Sequence, residues 1–289
     1  MLKLTFAALT LATAASAFAL PFSSQSALVI EESSGKVLLE KNSTKIVSIA
    51  SLTKLMTAMV VLDAKLNMDE SIVIDQSDVD MLKHSSSRVP VGVTLPRKDM
   101  LHLALMSSDN RAAASLARTY PGGNAAFIAA LQANLKTLGM TQTVIEEPTG
   151  LSPRNTSTAA DLIKMAVAAG NYSEIAHATT DQRDLFNING RSVEYHNTNQ
   201  FVGRKGWDIL LSKTGYTMEA GRCIIMRVKA AGKNVVMVLL NSNGSSARSV
   251  DAVRVHSFLT GEASPRQAMV RVKQRHIRHR GRDIQVASA

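Results

Sequence analysis

Cysteine is almost absent. Cys223 stands alone among 289 residues, so no internal disulfide can form and a disulfide-stapled miniature is excluded. Its context, GRCIIMRV, reads as a buried strand in which the thiol is a small core residue. The seven histidines show neither H-E-x-x-H nor any other zinc spacing, so no metal site and no cofactor are expected. Beyond the first twenty residues, no apolar stretch approaches the roughly 20 residues of a membrane-spanning helix. No internal repeat is present.

What is present begins with a leader. In Met1–Ala19, Lys3 is a positive start, Leu4 to Leu11 an apolar run, and small residues follow through Ala17 and Ala19. This pattern is a secretory signal peptide cut after Ala19, with Ala17 the second candidate, and it predicts an exported protein. The net charge is +10. Much of it sits after Glu262, where seven Lys/Arg (Arg266, Arg271, Lys273, Arg275, Arg278, Arg280, Arg282) face only Glu262 and Asp283. Residues 263–289 therefore read as a basic, disordered tail. Such a tail can touch an anionic membrane or wall polymer electrostatically. Nucleic acid is a poor partner for an exported chain.

The pattern between the ends predicts one catalytic domain over 20–262. Ala27–Ile30 and Lys36–Leu39 flank a turn at Ser33-Ser34-Gly35 and read as a hairpin. From Leu52, apolar residues at Leu55, Met56, Met59 and Val60 predict an amphipathic helix with one buried face. The middle, from about Met68 to Gly190, reads as mostly helical: Pro96–Met106, Arg111–Ala117, Asn124–Leu138, and Thr158–Ala169 with Thr158 as cap. The period then changes to that of strands at Ile209–Ser212, Arg222–Lys229 and Asn234–Leu240, before a closing helix over Val250–Leu259. Strands at both ends with helices between them predict a mixed α/β fold. Its antiparallel sheet is built from both chain termini (about 26–66 and 190–262), with an all-α lobe (about 67–189) inserted and the site between them.

Three short motifs carry the chemistry. In ASLTKLM, Ser51 and Lys54 stand at i and i+3, on one helix face. A serine hydroxyl needs an adjacent base, and a lysine can be that base only if burial or nearby charge lowers its pKa. The pair alone is a weak signal, since a serine followed by a lysine at i+3 is common at a helix N-terminus, where serine caps. Ser108-Asp109-Asn110 follows between two helices, with Asp109 read as structural, and Lys213-Thr214-Gly215 ends an apolar strand. S-x-x-K, S-D-N and K-T-G in this order are the set shared by class A β-lactamases and penicillin-binding proteins.

On these motifs, and on the longer stretches ASLTKLMTAMVVLDAKL, PRKDMLHLALMSSDNRAAASLA, PGGNAAFIAALQANLKTLGM, EEPTGLSPRNTSTAADL and LSKTGYTMEAGRC, the chain resembles low-molecular-mass penicillin-binding proteins. It is most similar to the periplasmic D-alanyl-D-alanine endopeptidases, from about Ser26 to Gly261. The resemblance implies peptidoglycan muropeptides as substrates and β-lactams as covalent inhibitors. It implies that Ser51 is the nucleophile, Lys54 its general base, Ser108 the proton relay and Asn110 a hydrogen-bonding partner of the substrate backbone. Lys213 would add positive charge, Thr214 would bind a substrate carboxylate, and Gly215 would let substrate lie along the strand edge. The N–H groups of Ser51 and Tyr216 would form the oxyanion hole. Arg248, in GSSARSV, is either a surface arginine or a partner for a carboxylate near the leaving group.

Three alternatives stand beside this reading. A class A β-lactamase needs a glutamate to activate water; Glu146 and Glu147 lie in the right interval, but E-x-x-L-N is missing. A non-catalytic wall-binding protein on the same scaffold would have lost a motif residue, and none is lost. A D-alanyl-D-alanine carboxypeptidase would use the same bond chemistry on uncross-linked stems. After Gly215 only 74 residues remain, too few for the extra C-terminal β-domain and anchor of that branch, so endopeptidase is the expectation.

Overall fold

The computed structural model describes residues 21–244 and 246–262. The expected leader, the signal cleavage point and the basic tail lie outside the described residues. The chain opens with β1 (Ser24–Glu31) and β2 (Val37–Lys41), and β3 (Val47–Ser48) leads to a single 3-10 turn over Ala50–Leu52. α1 (Thr53–Asp63) follows, then the short strands β4 (Ser71–Val73) and β5 (Thr94–Pro96). Next come α2 (Arg97–Met106), α3 (Asn110–Arg118) and α4 (Gly123–Thr137), β6 (Thr156–Ser157), α5 (Ala159–Ala169) and α6 (Ser173–Thr180). A hairpin of β7 (Arg183–Ile188) and β8 (Arg191–His196) precedes β9 (Asp208–Thr217), β10 (Gly221–Ala230), β11 (Lys233–Ser242) and α7 (Ala247–Thr260).

The main sheet has the order β2-β1-β11-β10-β9 and is antiparallel throughout. Both chain ends meet in it: Leu28 of β1 faces Val238 of β11. Successive strand side chains point to opposite faces, and here both faces are covered. Val236, Val238 and Leu240 enter the large core beneath the helices, whereas Val235, Met237 and Leu239 pack with Phe22, Phe201, Ala252 and Val255 under α7. That double burial is why β10 and β11 read as continuous apolar runs. The Asp251 carboxylate fastens α7 to β1, accepting from Ser23 N, Ser24 N and the Ser24 hydroxyl.

Several elements differ from the sequence expectation. α1 is not amphipathic: every residue from Thr53 to Val61 is buried. It runs through the centre of the molecule with α2, α3, α4, α5 and α6 around it, so a polar face would have no water to meet. The stretch expected to be all-α also contains β4, β5, β6 and β7. Within it, α5 packs on β1, β10 and β11, and α6 packs on β9. β9 continues through Thr217, so Lys213-Thr214-Gly215 lies inside a strand and not at its end. No helix among the described residues is long and apolar enough to cross a membrane.

Candidate active site

The geometry of the site starts with a strained turn. Ala50 adopts φ 48°, a conformation that costs a non-glycine residue energy and persists only where its surroundings impose it. The imposing contacts are backbone. A Cβ on Gly150 would sit 2.0 Å from Ala50 O, and a Cβ on Gly215 would sit 3.0 Å from Ile49 O and 3.1 Å from Ser51 N. The Gly150 loop and strand β9 therefore press on the Ile49–Ser51 backbone through residues that lack a side chain. The missing side chain of Gly215 makes room for the serine turn against β9, and it brings Ser51 N to the β9 edge next to Tyr216.

Ser51 caps no helix. The residue before α1 is Leu52, without a side-chain cap. The Ser51 hydroxyl instead meets Lys54 Nζ at 3.0 Å. Lys54 is 1% exposed and also donates to Asn110 Oδ1 at 2.7 Å and Thr149 O at 2.6 Å. All three partners are neutral. Burial lowers its pKa to about 8, against a smaller opposing pull from Glu147, Asp109 and Asp80. A lysine of that pKa is a usable base near neutral pH.

The opposite wall comes from the loop between α2 and α3. Asp109 caps α3, accepting from Ala112 N at 3.0 Å, and it also takes the Ser87 hydroxyl. Asn110 is the first residue of the helix and not its cap. Its amide carbonyl faces Lys54 while Nδ2 donates to Ser85 Oγ at 2.8 Å. Ser108 sits at φ 60° and receives Lys213 Nζ at 2.8 Å. Lys213 reaches it from β9 and also donates to Thr214 O. Burial, then repulsion from Lys54 and Arg248, holds the Lys213 ammonium well below the usual lysine range. Two hollows, about 290 and 270 Å³, flank this wall. Asn110, Asp80, Leu82 and Thr149 border the first; Ser87, Ser108, Asp109 and Tyr195 border the second.

Of the remaining expected residues, Thr214 has its hydroxyl 2.6 Å from Thr198 Oγ1, to which it donates. Tyr216 is exposed, with the Arg222 guanidinium 4.8 Å from its ring centre. Arg248 leaves the surface role behind: it donates to Cys223 O at 3.0 Å, and its Nε is buried without a partner. Cys223 pairs with Gly215 across the strands, so Arg248 stands at the level of the site. Cys223 itself is fully buried, and burial pushes its thiol up to about 11.

Glu146 and Glu147 occupy no catalytic position. Glu146 pairs with Arg154 at 2.5 Å. The Glu147 carboxylate accepts from Thr149 N, Thr149 Oγ1, Gly150 N, Ser152 N and Asn155 Nδ2. It holds the loop whose Thr149 carbonyl receives Lys54. Three contributors were missed from sequence: Ser85, Thr149 and Thr198. Ser85 stands in a bland serine run, Thr149 acts through its backbone, and Thr198 has no motif.

The sequence profile of the peptidase S11 family, described as D-alanyl-D-alanine carboxypeptidase, matches residues 12–244. A D-alanyl-D-alanine endopeptidase of Pseudomonas aeruginosa is 44% identical, over 98% of this chain and 96% of its own length. One of Escherichia coli K12 is also 44% identical, over 84% of this chain and 79% of its own. Among solved structures, the Streptomyces K15 DD-transpeptidase superposes with a TM-score of 0.74 at 26% identity, covering 80% of this chain and 95% of that one.

Proposed function

The chain belongs to the peptidase S11 family of D-alanyl-D-alanine peptidases and is a serine hydrolase of that kind; we propose that it hydrolyses D-alanyl peptide cross-links of peptidoglycan through an ester on Ser51. The observation that carries this reading is the Ser51–Lys54 contact at 3.0 Å, with the lysine buried and no carboxylate touching it. A neutral Lys54 keeps two N–H bonds, to Asn110 Oδ1 and Thr149 O, and offers its lone pair to the Ser51 hydroxyl. Ser51 Oγ attacks the D-alanyl carbonyl carbon as its proton passes to Lys54 Nζ. The oxyanion forms beside the N–H groups of Ser51 and Tyr216. The C–N bond then breaks, and the leaving amine takes a proton through Ser108, which Lys213 orients. Water hydrolyses the ester and restores Ser51.

A substrate carboxylate favours the charged form of Lys213. Apart from substrate it meets only the neutral acceptors Ser108 Oγ and Thr214 O, and burial, then repulsion from Lys54 and Arg248, holds its ammonium form down. A substrate carboxylate reverses that balance, and Arg248 adds positive potential from the same level of the sheet. Penicillin enters by the same route, its lactam amide standing in for the scissile bond.

Cross-linked muropeptide dimers test the choice of substrate. Incubated with the purified protein, dimers convert to monomers if the reading is right. Loss of a single alanine from uncross-linked pentapeptide stems, with dimers untouched, makes the protein a carboxypeptidase instead.

The leader-like Met1–Ala19 supports export to the periplasm, and the basic residues 263–289 support electrostatic contact with an anionic surface at about 1 kcal/mol per basic residue. Truncation after Ser264 should weaken salt-sensitive binding to sacculi and leave hydrolysis of soluble muropeptides unchanged. Equal binding by both forms refutes the contact.

A further inference from the structure

Two histidines and an aspartate converge away from the catalytic cleft. His102 lies on α2, His177 on α6, and Asp181 directly follows α6. His102 Nε2 lies 3.2 Å from Asp181 Oδ2, and His177 Nε2 lies 3.4 Å from the same oxygen. All three candidate ligand atoms lie within 4.8 Å of one another. Neither contact is a hydrogen bond in direction: His102 Nε2 is buried and has no hydrogen-bond partner. A buried ring nitrogen without a partner is costly, yet it lies beside an acceptor that it does not point at. Two nitrogens and an oxygen aimed at a common point would produce this.

The spacing fits a particular class of ion. Tetrahedral coordination with bonds of about 2.0–2.2 Å to imidazole nitrogen and carboxylate oxygen places neighbouring donors about 3.3–3.5 Å apart. Of the two observed separations, 3.4 Å falls within that range and 3.2 Å lies just below it. A metal-bound imidazole also usually gives its second nitrogen to an outer carboxylate. Asp184 Oδ2 stands 3.8 Å from His102 Nδ1, and Asp99 lies one turn earlier on α2. The surroundings are thus anionic. His177 is 71% exposed, which leaves the fourth position open to water and gives the ion an entry path.

We propose that His102, His177 and Asp181 bind a divalent cation of the zinc class, which clamps α2 to the end of α6. The expectation of no metal rested on motif spacing. His177 and Asp181 stand at i and i+4 at the end of α6, but His102 comes from α2, so no single short motif holds the set. The clamp joins two parts of the catalytic scaffold. α2 runs into the loop that carries Ser108, and the Thr179 carbonyl of α6 accepts the hydroxyl of Ser212, the neighbour of Lys213. The ion takes no part in the serine chemistry; it fixes the elements from which the two walls of the cleft extend.

The test uses the mature full-length chain without added histidines, stripped by a chelator. Zinc is titrated calorimetrically, and cobalt is followed by its visible spectrum. The expected result is one equivalent bound, the intense absorption of tetrahedral cobalt, and a melting temperature that rises with zinc concentration. His177→Ala and Asp181→Asn should each weaken zinc binding by about 100-fold. Their benzylpenicillin acylation rates without metal should equal that of the metal-free wild type, which shows that the fold is intact. If alanine disturbs α6, His177→Gln replaces it, and the same loss is expected. Absence of stoichiometric binding by the wild type overturns the proposal. So does unchanged binding in the variants, which would place the ion elsewhere, for example on His276 and His279.

Discussion

The buried Lys54 sets the pH dependence of acylation. An ordinary lysine with a pKa near 10.5 is neutral in roughly one molecule in 3,000 at pH 7. Lowered to about 8, the same group is neutral in about one molecule in ten, a gain of roughly 300-fold in competent base. Only the neutral form can take the Ser51 proton. The second-order rate of acylation by benzylpenicillin should therefore rise nearly tenfold per pH unit below about 8 and level off above it. Lys54 and Lys213 repel each other, so the rising limb reports the coupled pair and not Lys54 in isolation. Lys54→Arg keeps a charge but cannot deprotonate, and it should lower the rate by about 10²–10⁴-fold and remove the rising limb. Measured with a fluorescent penicillin from pH 6 to 10, a flat profile in the wild type would refute the reasoning. An arginine variant within tenfold of wild type would refute it equally.

Three further outcomes follow from the packing around the site. Gly215→Ala places a methyl 3.0–3.1 Å from the Ile49–Ser51 backbone, and the resulting shift of Ser51 should slow acylation by about 10- to 100-fold; an unchanged rate would mean that the turn yields freely. Glu147→Gln removes the charge that five donors address and should destabilise the fold by about 2–4 kcal/mol. The lifetime of the penicilloyl ester should not lengthen in that variant, and a tenfold longer lifetime would return Glu147 to the role of water-activating base. Cys223, buried with its thiol raised to about 11, should resist iodoacetamide at pH 8 until the protein is unfolded, as peptide mapping would report.

The chemistry was more legible in the sequence than the packing. Ser51, Lys54, Ser108, Asn110 and Lys213 were marked by three motifs in a fixed order and by the resemblance they carry; the structure joins Ser51 and Asn110 through Lys54, and Ser108 to Lys213 on the adjoining wall. The sheet was readable because β-rich apolar runs bounded by turn residues stand at both ends of the chain. α1 misled because a central helix and an amphipathic one share the same apolar positions; what separates them is whether the polar residues between meet water, and Thr53, Lys54 and Thr57 do not. One missed feature had a plain signal. Asn189-Gly190 links β7 to β8 with φ 51° and 78°, the positive pair of a two-residue hairpin turn. The Glu147 loop had no such signal, because a carboxylate that collects backbone N–H groups looks like any acidic residue until the chain has closed around it.

Intact-mass analysis after exposure to benzylpenicillin tests the central claim most directly. The mature wild type should gain the mass of the whole drug, because ring opening leaves every atom of it esterified to the protein, and peptide mapping should place the adduct on Ser51. Ser51→Ala, at the end of a turn that keeps its backbone contacts, should fold and gain nothing. An adduct of full drug mass on the Ser51→Ala protein would contradict the assignment of the nucleophile and the account built on it.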